Sequence, residues 1–124
     1  MAYENSLQCV SFEAGQDLSA KQYYFVSLAS DGQIDPTGDG ASAVGVLQNA
    51  PASAGDAASV AIGGITKVVA GGTIAAGGAV ASSATGTAVA ATTAGDVILG
   101  TAVTGGASGE TISIVFQPRG AVPA

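Results

Sequence analysis

Glycine recurs every few residues along this 124-residue chain, 19 times in all, with Val, Ile and Thr filling many of the gaps. Each interior glycine costs an α-helix about 1 kcal/mol relative to alanine. Branched Cβ atoms lose rotamer freedom in a helix but pack well on a pleated surface. Dense alanine would otherwise invite a helical reading, and this spacing removes it. The pattern predicts a mostly β fold with little helix: a compact small β-barrel or sandwich.

Period-two alternation locates the strands. Val10-Ser11-Phe12 alternates apolar and polar, and Tyr24, Val26 and Leu28 repeat the period. Val44 and Val46 begin a further strand that ends near Gln48, and Asn49–Asp56 reads as a loop. Val60-Ala61-Ile62 follows as a strand, and Gly63-Gly64 reads as a turn into Ile65–Val69. Glu110–Phe116 is the clearest strand, with Ile112, Ile114 and Phe116 on one face. Asp31-Gly32 and Asp39-Gly40 are turn dipeptides, and Asp35-Pro36 excludes a helix between them. Pro118 and Pro123 end regular structure.

The run "GGTIAAGGAVASSATGTAVAATTAG", Gly71–Gly95, holds no aromatic residue and no charge. Its meaning comes from an internal comparison. "GDAASVAI" (Gly55–Ile62) sets against "GETISIVF" (Gly109–Phe116) without a gap, and "AVGVLQNA" (Ala43–Ala50) against "ILGTAVTG" (Ile98–Gly105). Further upstream, Asp17–Ile34 sets against Thr73–Val89, pairing Leu18 with Ile74 and Gly32 with Gly86 at an offset of about 54–56 residues throughout. Two similar strand-and-turn repeats are expected, about 15–66 and 71–116, inside one β domain of residues 15–118. Residues 1–14 form either an arm or a first strand, and 119–124 a tail. The uncharged run then becomes the second copy of a strand unit, with flexibility as its alternative. Small side chains on a strand permit close approach of another backbone, which makes Ala79 and Ala81 candidates for a subunit-packing surface.

Composition excludes several functions. Only 10% of residues are charged, the net charge is −6, and Lys21, Lys67 and Arg119 are the only cations. Nucleic acid and anionic membrane need clustered Lys and Arg, so neither is an expected partner. Hydrophobic residues make up 48% but aromatics only 5%, so much of the apolar content is alanine. No basic-then-apolar leader and no ~20-residue apolar span stand out, the pattern of a soluble protein made inside the cell. Cys9 is alone, which rules out an intrachain disulfide, and reads as a buried, inert thiol in a strand.

Chemistry is equally constrained. The chain has no histidine, so imidazole acid–base chemistry and His metal sites are absent. Asp31, Asp35 and Asp39 superficially look like a calcium loop. Their spacing is four where an EF-hand needs two, and no position-twelve Glu follows. Gly72 and Gly77 have phosphate-loop spacing, but Gly78-Ala79 stands where Lys-Ser/Thr is required. No cofactor, no metal and no enzymatic activity are expected.

The stretches "DLSAKQYYFVSLASDGQI" and "DGASAVGVLQNAPASAGDAASVAIGGITKV" (within Asp17–Val68), with "TIAAGGAV" and "DVILGTAVTGGASGETISIVF" in the second half, resemble tailed-bacteriophage head decoration proteins, the capsid cement proteins. The resemblance covers roughly 15–116. It implies a non-enzymatic virion protein, made late in the host cytoplasm, that binds the outside of the expanded head and stabilises it against internal DNA pressure. It further implies the major capsid protein as partner and a homotrimer at three-fold or quasi-three-fold positions. In that family the N-terminal segment often runs as an arm along the shell. Here that segment is "MAYENSLQCVSFE", and Tyr3, Leu7, Val10 and Phe12 are its candidate capsid contacts, suited to strand addition. An ordinary first strand is the alternative. The other functional readings are a tail-fibre or virion-surface adhesin module and, further off, a small ligand-binding β-barrel.

Overall fold

The structure, a computed structural model, describes residues 7–123. The described residues form nine strands and no helix. In chain order these are β1 (Gln8–Ala14), β2 (Phe25–Leu28), β3 (Gln33–Pro36), β4 (Gly45–Leu47), β5 (Ala57–Val69), β6 (Ala79–Ser82), β7 (Ala88–Ala90), β8 (Gly100–Ala102) and β9 (Thr111–Phe116). They hydrogen-bond in the order β1-β3-β2-β4-β5-β9-β8-β6-β7, and a further β1–β5 pairing closes the first five into a ring. The second half closes through the single parallel bridge Ala70↔Ala88. The result is a compact β fold rather than one continuous barrel. No helix among the described residues is long and apolar enough to cross a membrane.

Gly63-Gly64 is not the turn its dipeptide suggests. β5 runs straight through it for 13 residues. The reason is tertiary. Before the glycines, β5 pairs with β1 and β4; after them it pairs with β9. Strand partners on both sides keep the backbone extended, and Gly64 absorbs the change of partner at φ 93°.

The pairings of the two halves coincide at the offset noted above. Val26↔Pro36, Ser27↔Asp35 and Leu28↔Ile34 join β2 to β3, and Val80↔Ala90, Ala81↔Val89 and Ser82↔Ala88 join β6 to β7. Val26↔Gly45 has the counterpart Val80↔Gly100, and Leu47↔Val60 the counterpart Ala102↔Ile114. The parallel contact Ala14↔Ile34 corresponds to Ala70↔Ala88. β5 therefore serves both halves, as last strand of one and first strand of the other.

The cores follow the same correspondence. The first contains Leu18, Val26, Ile34, Leu47, Ala58 and Val60; the second contains Ile74, Val80, Ala88, Ala102, Ile112 and Ile114 at the matching places. Ile34 is replaced by Ala88 while Ala58 is replaced by Ile112. The exchanges run in opposite directions, so the side-chain volume across the two positions is conserved, the kind of swap a core tolerates best. The second cluster also holds Phe25, Ala43 and Val46 from the first half against Val68, Leu99 and Phe116 from the second. This seam joins the halves, and its two rings, Phe25 and Phe116, sit 6.2 Å apart at a tilt of 40°.

The uncharged run Gly71–Gly95 lies in β6, β7 and their connections. It packs on its own chain's first half. Gly40 donates its N–H to the Ser82 carbonyl at 2.9 Å, and Phe25 donates its N–H to the Gly86 carbonyl at 2.7 Å. A Cβ on Gly86 would press on the Phe25 carbonyl oxygen. Small residues are needed there because two backbones meet.

Candidate functional site

The described residues contain no group of three metal-ligating side chains. Asp31 and Asp35 serve the fold: the Asp31 carboxylate accepts the Gln33 N–H at 2.9 Å, and the Asp35 carboxylate accepts the Gln16 amide at 3.0 Å. Asp17 accepts the Ser19 N–H at 2.9 Å, and hydrogen bonds from Ser19 hold its exposed carboxyl below the usual range. What the fold offers is surface.

The first surface is β1. Its residues 8–13 pair with β5 on one edge, while β3 joins only at Glu13 and Ala14. The opposite edge of residues 8–12 carries no strand partner among the described residues, so its backbone groups are open to an added strand. The four candidate contact residues separate. Phe12 is half-buried and packs on the first core, while Val10 is 38% and Leu7 40% exposed. Tyr3 lies outside the described residues. Cys9, expected to be buried, is exposed. Gln8 to Ser11 are all exposed, so both faces of the strand are open there.

The second surface emerges from the seam. In the second half, Val68, Leu99 and Phe116 are covered by Phe25, Ala43 and Val46. The matching first-half positions, Phe12, Val44 and Ile62, are only partly buried. Likewise Ser82 is fully buried, whereas its counterpart Leu28 is 47% exposed. Ala79, Ile98 and Thr101, the counterparts of Phe25, Ala43 and Val46, are half-buried. Of the two candidate packing alanines, Ala81 has no exposed area within the single chain, which leaves Ala79 with surface to offer a neighbour.

The third surface is a shallow groove of about 250 Å³ at the junction of the halves, lined by Leu7, Tyr23, Gln48, Ile65, Thr66, Lys67 and Ser113. The Lys67 ammonium lies 5.9 Å from the centre of the Tyr23 ring. One residue along, Lys21 lies 4.9 Å from the centre of the Tyr24 ring. Sequence reasoning missed this cluster, although a signal was present: Tyr23-Tyr24 aligns with Gly77-Gly78 in the internal comparison.

No curated protein matches. Among solved structures, the N base of head fiber gp8.5 of bacteriophage phi29 has a similar fold, with a TM-score of 0.60, 21% identity, and coverage of 89% of this chain and 95% of that one. A family model described as phage cement protein matches residues 9–118, from the second residue of β1 to just past β9. With nearly the whole fold inside that match, the chain belongs to the phage cement protein family, structural proteins of the phage capsid rather than a class of enzymes.

Proposed function

We propose that this cement protein binds the outer surface of the expanded phage head, contacts the major capsid protein, and stabilises the shell against internal DNA pressure. The observation that carries this reading is the family match over residues 9–118. The physics is consistent with it. A chain of net charge −6 is repelled electrostatically by the packaged genome, and a reinforcing protein needs surface complementarity rather than a cleft. The open edge of β1, with Val10 and Leu7, is the proposed capsid contact. A virion-surface fibre module is the second reading; the phi29 head-fibre likeness favours it only as far as fold.

Purified expanded and unexpanded heads test the proposal by co-sedimentation. The protein is expected to pellet with expanded heads and stay in the supernatant with unexpanded ones. Failure to pellet with either would overturn the reading.

The proposed oligomer is a homotrimer. The seam supports it: the open face Phe12, Leu28, Val44, Ile62 matches a face that the second half buries within the chain. The face Ala79, Ile98, Thr101 matches the one that covers it. Docking the second face of one copy on the first face of the next repeats the internal seam head to tail. Such a contact closes into a ring when the rotation allows, and a ring multiplies each weak shell contact. Light scattering of the wild type is expected to give a trimer mass, and Leu28→Glu a monomer with an unchanged circular dichroism spectrum. A wild-type monomer, or a Leu28→Glu trimer, would rule this arrangement out.

A further inference from the structure

We infer that the Tyr23–Lys67 groove, flanked by the Tyr24–Lys21 pair, is a docking site for an extended, carboxylate-bearing segment of the shell protein. This rests on the cement reading and names the chemistry of its contact.

The first observation is backbone strain. Tyr23 sits at φ 67°, the single non-glycine residue with positive φ among those described. A side chain in the left-handed region is strained relative to glycine. The fold itself does not ask for tyrosine here. The matching turn in the second half places Gly77 at φ 83°, and the two turns share their hydrogen bonding. Tyr23 donates its N–H to the Leu47 carbonyl at 2.7 Å, as Gly77 does to Ala102 at 2.7 Å. The second half is thus a built-in control: the same turn forms with neither aromatic ring nor charge. Strain that the fold does not require points to a role for the side chain.

The second observation is charge. Two of the chain's three cations lie over these two adjacent tyrosines, while the net charge is −6. Lys67 is exposed and has Ser11, not a cation, as its counterpart. An acidic protein can approach a carboxylate-bearing partner only where its own positive charge is gathered. Arrayed over an aromatic face, the ammonium groups are held in place for such a partner.

The third is shape. Leu7 and Ile65 form the apolar part of the groove; Gln48, Thr66 and Ser113 carry its polar groups. An extended segment carrying an apolar residue beside an acidic one fits that alternation. Leu7 also immediately precedes β1, so the groove adjoins that strand.

Tyr23 also packs against the seam core, so a purely structural role is the competing explanation. Four variants separate them by binding to expanded heads lacking the decoration protein, each with its thermal midpoint measured. Lys67→Gln and Tyr23→Gly are expected to bind about tenfold more weakly, and the combined Lys21→Gln/Lys67→Gln variant to lose most of the salt dependence of binding. Arg119→Gln removes the same charge elsewhere, where the guanidinium donates to the Thr101 hydroxyl at 2.9 Å, and is expected to bind as wild type. If Tyr23→Gly lowers the midpoint while Lys67→Gln binds normally, the cluster is seam packing and the inference falls. Equal losses from Lys67→Gln and Arg119→Gln would mean general electrostatics and would also overturn it. Should the wild type itself not bind, the cement reading fails and takes this inference with it.

Discussion

Valine at Gly45 or at Gly100 is expected to cost about 3–5 kcal/mol, a large share of a total domain stability of order 5–15 kcal/mol. The two glycines occupy matching places, Gly45 opposite Val26 and Gly100 opposite Val80. At each, the strand passes so close to its neighbour that a Cβ would run into a backbone carbonyl, that of Ala61 at Gly45 and that of Val115 at Gly100. A flexible side chain can move aside, but a carbonyl in a ladder cannot without breaking its pairing. Gly63→Ala is the matched control. A Cβ there meets nothing nearer than the Gln8 side chain at 3.8 Å. It is expected to be neutral, or to stabilise by about 0.5 kcal/mol by restricting the unfolded chain. Urea titration followed by circular dichroism measures all three. Midpoints for the two valine variants equal to that of wild type would show that the sheet relaxes around these positions.

Deleting residues 1–12 is expected to unfold at least the first half of the protein. The deletion removes the pairings of Gln8 to Phe12 with β5, and these close the five-stranded ring. It also strips Phe12 from the side of the first core, which contains only seven buried residues. Opening a small ring exposes a long edge of β5 and wets the core. Hydrogen exchange on Ala57–Ala61 measures the effect directly, since these amides face β1 or β4. Persistent protection there, with a native circular dichroism spectrum, would mean that the segment is a detachable arm after all.

Much of the architecture was legible in the residues. The glycine spacing excluded helix, and the described residues contain none. Period two located β2, β4 and β9 within a residue or two, most clearly at β9, where buried residues alternate with more open ones, while β4 is buried throughout. Gly63-Gly64 was misread because turn chemistry is a local signal, and at this point long-range pairing on both sides outweighs it. Cys9 was misread because alternation says that one face of β1 points inward without saying how far along the strand the core reaches. The Tyr23 cluster was hidden for a different reason. An aromatic pair on an apolar strand reads as core until its counterpart in the other half proves to be glycine.

Taken alone, the sequence determined the class of fold, the strand periods, the exclusion of histidine chemistry, and the offset at which its halves resemble each other. Each of these depends on residue types and on spacing along the chain. The tertiary structure decided what β5 pairs with, which apolar residues seal the seam and which stay open, and why Gly71–Gly95 carries so little side chain. Those are questions of which distant segments come into contact. The energy that answers them, burial against a partner and clash with a particular carbonyl, exists only once the chain has folded.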